Sequence, residues 1–296
     1  VEAEAVDHRI TFDFGTDQVI AAPGEAGSLI SGTDQVIQPS RWFKRLPRYV
    51  SIIYLVLLAI AELVSSLGVP PWGIVLHGGI LFALIIQGTM YGDIRERAFL
   101  LSLSFAPLIR IISFTTPLAT FPQVYWYAVV GAPLLLAEFA LIRNTGLKNR
   151  QIGLRVGNLP VQLLISLVGI GLGYLEYLIL KPKPLVADFT FEAIIGPALI
   201  LLIFTGFLEE LVFRGVFQYF AVRHLGKIGF VYVSMVFAVL HIGYLSVLDF
   251  GFVFLVAMIF AYFVQRTGSI LGVTLAHGLT NIGLFLIFPF LMNMPS

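Results

Sequence analysis

Apolar runs of about twenty residues, separated by short polar or proline-containing segments, fill the chain from residue 49 onward. A helix needs about 20 mostly apolar residues to cross the roughly 30 Å hydrocarbon core of a bilayer. The strict alternation over about ten residues that is typical of a transmembrane β-barrel does not occur. We therefore predict an all-α, polytopic transmembrane helix bundle of eight or nine spans, since prolines interrupt 98–142. The nine candidate spans are 49–67, 73–90, 98–117, 121–142, 159–179, 193–222, 228–245, 250–265 and 270–289.

Composition supports the same class. Apolar residues make up 58% of the 296 residues and charged residues 12%, whereas soluble domains are about 25% charged. The chain has no Cys, which excludes disulfides, thiolate metal sites and cysteine nucleophiles. The lipid bilayer is thus the first expected partner, and no nucleic-acid partner is expected.

Lysine and arginine residues are distributed unevenly around these spans. With nine spans, the segments that contain most of them fall on one side, and the positive-inside rule makes that side cytoplasmic. Lys181 and Lys183 are the exceptions on the far side. We expect an integral protein of a prokaryotic plasma (inner) membrane with a cytoplasmic N-terminus. The basic segments are 41–48, 95–97, 143–155, 223–227 and Arg266.

The first 40 residues differ from the rest of the chain. Residues 1–40 contain seven acidic residues and one basic residue, Arg9, and the sequence GTDQVI occurs at 15–20 and again at 32–37. An acidic, polar start is unlike a signal peptide, and because the first residue is Val, N-terminal processing or truncation is expected. We predict a polar acidic arm at 1–40 and a transmembrane domain at 41–296. The duplication is either a feature of a tail, or it forms two short strands or a docking strip for a protein partner.

Two adjacent glutamates, Glu209 and Glu210, lie in an apolar stretch with Arg214 four residues after the second. Each charge at mid-bilayer costs roughly 2.5–3.5 kcal/mol on insertion scales. Glu210 and Arg214 share one helix face and can pair. Glu209 points about 100° away and has no such local partner. An unpaired intramembrane carboxylate indicates a functional site.

Two later polar clusters, Phe237-x3-His241 and His277-x3-Asn281, lie on apolar segments at depths that allow them to meet the glutamates. Glutamate and histidine can hold a water and remove its proton, while a second histidine and an amide can donate hydrogen bonds to an oxyanion. Phe237 is expected to support the site by packing. Alternatively, Glu209, His241 and His277 could ligate a divalent metal such as Zn²⁺.

The three motifs, EELVFR, FAVLH and HGLTN, occur in that order on successive apolar helices within 190–290. They resemble the motifs of the CPBP family, the type II CAAX prenyl endopeptidases and bacteriocin-processing (Abi) membrane proteins. The resemblance implies an intramembrane endopeptidase that hydrolyses a peptide bond near the cytoplasmic leaflet. Glu209 would be the catalytic base, and His241 would help to activate water.

The same resemblance implies that Glu210 supports the site by pairing with Arg214, and that His277 and Asn281 form the oxyanion hole. Both a metal-dependent and a metal-free glutamate mechanism have been argued for the family, and both stay open here. A peptide or protein substrate is the implied partner. The alternative function is a non-catalytic membrane scaffold or accessory subunit of a larger complex, for which the acidic arm argues.

Five further polar residues fall within predicted spans, and structural roles are expected for them. The five are Glu62, His77, Arg110, Glu138 and Glu176. Arg110 is expected to form an interhelical pair with Glu138 or Glu176. The glycines of GIGLG, 169–173, are expected to allow close helix packing.

Overall fold

The structure is a computed structural model that describes residues 46–68 and 70–292. The predicted acidic arm and its repeated GTDQVI lie outside the described residues. Within them the chain is helical and contains no strand, so the predicted all-α class is confirmed. The helices are α1 Arg48–Ser66, α2 Pro70–Met90, α3 Ile94–Leu103, α4 Phe105–Thr115, α5 Gln123–Thr145, α6 Leu159–Leu180, α7 Phe191–Leu201, α8 Leu208–Glu210, α9 Gln218–Leu225, α10 Gly229–Val239, α11 Val247–Thr267, α12 Leu271–Ile282 and α13 Phe288–Leu291.

Eight helical segments of the described chain are long and apolar enough to cross a membrane, as the prediction of eight or nine spans requires. The third comprises α3 and α4, which Ser104 separates, because Pro107 has no N–H to donate to the preceding turn. The sixth, Phe191–Tyr244, has 54 residues and is far longer than one crossing needs. It turns at Gly226, whose φ of 70° suits glycine, and α10 then packs against α9 and α11.

Side chains and glycines define several helix ends. The Asn158 side chain accepts a hydrogen bond from the N–H of Val161 at the start of α6, and Thr190 caps α7 in the same way. Such caps satisfy backbone donors that the first helical turn leaves unpaired. Gly146 and Gly268 end α5 and α11 in the left-handed conformation, which costs glycine little.

The basic ends of several helices lie together at one end of the bundle. Arg155, just before α6, donates from Nε to the carbonyl of Gly268 at 2.7 Å, and Arg266 lies two residues before that glycine. At the start of α3, Glu96 Oε2 lies 2.7 Å from His224 Nδ1 of α9. Gln151, four residues before Arg155, donates to Tyr219 Oη of α9 at 2.6 Å and so joins the two groups, as expected if the basic segments share one side.

Two glycines allow α6 and α12 to approach closely. A Cβ on Gly169 would collide with the carbonyl of Ala276, and one on Gly173 would lie 2.6 Å from the carbonyl of Thr280. Thr280 Oγ1 donates to the carbonyl of Gly169 at 3.2 Å. Gly171, on another face, meets nothing within 4 Å. The GIGLG sequence therefore does what was predicted for it, through its first and last glycines.

Candidate active site

The two glutamates lie at the centre of an irregular helix that extends over 191–225, here called the glutamate helix. Its short α8, which contains both glutamates, is flanked by π-helical segments at Leu202–Phe207 and Leu211–Phe217. π segments are rare and occur frequently at functional sites, because the extra residue per turn shifts the following side chains around the axis. The apolar pattern predicted only a helix here and carries no signal for the π segments.

The glutamate helix crosses α12 at a glycine contact just before the glutamates. A Cβ on Gly206 would lie 2.7 Å from the carbonyl of Thr274, and one on Gly278 would lie 2.5 Å from a methyl of Leu202. Glycine at both positions thus permits a backbone separation that larger residues would prevent. This crossing places His277, the neighbour of Gly278, beside the glutamates.

Glu210 is fully buried and has two partners. Its Oε1 accepts a hydrogen bond from Arg214 at 3.0 Å, the pair expected from their spacing, and another from His277 Nδ1 at 2.8 Å. The Arg214 guanidinium also lies 4.2 Å from the ring centroid of Phe237, within the range of a cation–π interaction. Glu210 therefore links the first motif to the third, and Phe237 packs against that link.

Glu209 has a different environment from its neighbour. Its side chain is 30% exposed, whereas that of Glu210 is 0% exposed. Glu209 Oε2 lies 3.8 Å from His277 Nε2, which is too far for a direct hydrogen bond. His277 is thus held between two carboxylates, with one ring nitrogen toward each.

His241 lies just beyond the end of α10, and its orientation is fixed by the backbone. Its Nδ1 is 2.9 Å from the carbonyl oxygen of Phe237. A carbonyl only accepts, so the proton lies on Nδ1 and the neutral ring keeps a lone pair on Nε2. The ring also stacks at 6.2 Å on Tyr244. His241 can therefore accept a hydrogen bond through Nε2.

Two adjoining cavities bring these residues together. The larger, about 410 Å³, lies between α4 and α5 on one side and Glu209 and His241 on the other. The smaller, about 90 Å³, shares Glu209 and His241 and adds His277 and Asn281. The five residues predicted for catalysis thus comprise four that line the cavities and Glu210, which is buried behind them.

Other cavity residues were not predicted to be part of a site. Tyr127 and Glu176 line the smaller cavity, whereas a structural role was predicted for Glu176. Its position as a carboxylate within a membrane span could have indicated a functional site. No sequence feature indicated a functional role for Tyr127, because aromatic residues are common in membrane spans.

The predicted partner of Arg110 is wrong. Arg110 pairs with Glu62 rather than with Glu138 or Glu176: its Nε lies 2.6 Å from Glu62 Oε1. His77 Nε2 lies 3.5 Å from the same oxygen. Helices α1, α2 and α4 are therefore joined by a polar cluster of their own.

The three predicted metal ligands, Glu209, His241 and His277, all line the smaller cavity. Over 46–68 and 70–292, no group of three or more His, Cys, Asp or Glu side chains is arranged to hold a metal ion. One nitrogen of His241 bonds to a backbone carbonyl, and His277 Nδ1 bonds to Glu210. These bonds leave Nε2 of each ring free, so the ligand set Glu209, His241 and His277 stays a prediction, which the geometry of the described residues does not support as it stands.

Residues 191–283 match the model of a family described as Rce1-like, Type II CAAX prenyl endopeptidase Rce1-like. The match covers about a third of the chain and contains all three motifs, so the predicted resemblance is confirmed. No curated protein and no solved structure matches the chain. The matched region is thus similar to a family of membrane proteases, and eight helical segments of the described chain are apolar and long enough to cross a membrane.

Proposed function

We propose that this chain, whose residues 191–283 carry the Rce1-like match, is an intramembrane endopeptidase with Glu209 as its general base. The observation that carries the proposal is the contrast between the two glutamates. Glu210 is buried and holds Arg214 and His277, while Glu209 is partly exposed to the cavities that His241 and Asn281 also line. A carboxylate next to two imidazoles and an amide is suited to water activation.

In the proposed reaction a water hydrogen-bonds to His241 Nε2 and gives a proton to Glu209 as its oxygen attacks the scissile carbonyl carbon. The carbonyl oxygen becomes an oxyanion, which accepts hydrogen bonds from the Asn281 amide and from His277 in its doubly protonated form. The C–N bond then breaks, and Glu209 returns the proton to the leaving amine. The new carboxylic acid then gives the second proton of the attacking water to the new amine, so that the products are a carboxylate and an ammonium group, and Glu209 is regenerated.

The test is peptide cleavage by the purified full chain in lipid nanodiscs, with a broad pool of prenylated and unprenylated peptides. Glu209→Gln keeps the size of the side chain but removes the base, so we expect cleavage to fall 10²-fold or more. Glu138→Gln is the matched control, because Glu138 is a buried span glutamate outside both cavities. Full activity in Glu209→Gln would overturn the mechanism, and no cleavage of any peptide by the native chain would overturn the function.

A further inference from the structure

Arg110 of α4 is held at one edge of the larger cavity by residues outside the matched region. Its Nε donates to Glu62 Oε1 at 2.6 Å, and His77 Nε2 lies 3.5 Å from the same oxygen without a hydrogen bond to it. Glu62 is 1% exposed and His77 0%, whereas Arg110 remains 20% exposed. The guanidinium is thus held at Nε by Glu62, while part of the Arg110 side chain stays exposed.

Arg110 is part of the wall of the larger cavity. Arg110 lines the same space as Glu209 and His241. Among the described residues, a hydrogen bond or ion pair is found for Nε of this guanidinium. Its two terminal nitrogens are not buried and unpaired, so they are accessible. A guanidinium has five N–H donors in a planar fork, so most of the donors of Arg110 remain available to a molecule in the cavity.

We propose that Arg110 is a specificity-determining residue that binds a carboxylate of the peptide substrate. This inference rests on the proposed peptidase function. The guanidinium fork matches a carboxylate bidentately, and the mostly apolar side chains of α4 and α5 around it lower the local dielectric, which strengthens a charge pair. Glu62 acts as a positioning residue, since its bond to Nε fixes the fork that receives the ligand.

A peptide can supply this carboxylate from its C-terminus or from an aspartate or glutamate side chain. Both sources present the same planar, anionic group to Arg110. Binding measurements can separate them, because amidation removes the first and Asp-to-Asn exchange removes the second. Arg110 would therefore bind either carboxylate through the same pair of hydrogen bonds.

The experiment measures binding of fluorescent apolar decapeptides to the full chain in nanodiscs. Every variant also carries Glu209→Gln, which stops cleavage during the measurement. Three peptide pools are compared: one with a free C-terminus, one amidated with an internal Asp, and one amidated with Asn. We expect one of the anionic pools to bind about tenfold more tightly than the neutral pool, and Arg110→Gln to abolish that preference. Arg110→Lys should restore only part of it, because lysine keeps the charge but lacks the fork. Ser113→Ala, in the same cavity wall, should keep the full preference.

Arg110→Gln leaves Glu62 without its partner, so Glu62→Gln combined with Arg110→Gln is measured as a second, charge-balanced variant. The inference is overturned if Arg110→Gln, alone or combined with Glu62→Gln, still binds the anionic peptides more tightly by the full factor. It is also overturned if the chain binds no peptide at all. Cleavage by the native chain is measured separately. Arg110-dependent binding without cleavage contradicts the proposed peptidase function, whereas cleavage that ignores the carboxylate contradicts the role of Arg110.

Discussion

Glu209 and Glu210 are adjacent in sequence, yet the fold places them in opposite environments. Glu210 points toward Arg214 and His277 and is closed off from the cavities, while Glu209 points into them. The i,i+4 spacing was enough to predict the Glu210–Arg214 pair, because both partners belong to one helix. The position of His277 between the two carboxylates depends on a helix crossing and was not predictable from local spacing.

At this residue scale we predict a large loss of stability in Arg214→Met. The change leaves Glu210 buried with one of its two partners, and breaking a buried ion pair from one side costs about 3–5 kcal/mol. Glu210→Gln combined with Arg214→Met should regain much of that loss, because no stranded charge remains. Unfolding in detergent measures both variants. Equal stability of Arg214→Met and the native chain would show that the pair contributes little.

The error over Arg110 has a similar physical origin. Glu62, its observed partner, is 48 residues away in sequence, and the spans contain several other glutamates that were candidates. The apolar pattern shows which residues are in the membrane but not which helices are neighbours. Intramembrane charges must find partners, so the existence of a pair was predictable while its identity was not.

At the scale of elements, long apolar segments were predicted closely and their irregularities were not. The predicted span 159–179 corresponds to α6, Leu159–Leu180, whereas the predicted span 228–245 contains a shorter α10 that ends at Val239. The π segments on either side of α8 are invisible to a hydropathy pattern, because an apolar helix buries similar residues with i→i+4 or i→i+5 bonding.

The glycine crossing of the glutamate helix with α12 gives a prediction at this scale. In Gly206→Ala the new methyl would lie 2.7 Å from the carbonyl of Thr274, so the helices must separate, which we expect to cost about 1–3 kcal/mol and to weaken the His277–Glu210 contact. Peptide cleavage and the unfolding midpoint should both fall. Gly196→Ala is the matched control in the same helix, because a Cβ there meets nothing within 4 Å and alanine favours helix by up to about 1 kcal/mol. Equal behaviour of the two variants would rule out close packing at Gly206.

At the scale of the whole molecule, the basic ends of the helices and the proposed site have a fixed relation. The contacts of Arg155 with Gly268 and of His224 with Glu96 collect basic segments at one end of the bundle. His277 lies six residues into α12, about 9 Å from that end at 1.5 Å per residue. If this end is cytoplasmic, as the positive-inside rule predicts, the proposed chemistry occurs nearer the cytoplasmic leaflet.

The absence of cysteine makes this orientation directly measurable. Lys148→Cys, in the exposed loop after α5, and Lys183→Cys, in the exposed loop after α6, each introduce a single thiol. Because α6 crosses the membrane once between them, a membrane-impermeant maleimide should reach the two thiols from opposite sides. We expect Lys148→Cys to be labelled in inside-out vesicles and Lys183→Cys in right-side-out vesicles. The reverse pattern would place the basic end outside and move the proposed cleavage site toward the outer leaflet, since the depth of His277 within the bundle would be unchanged.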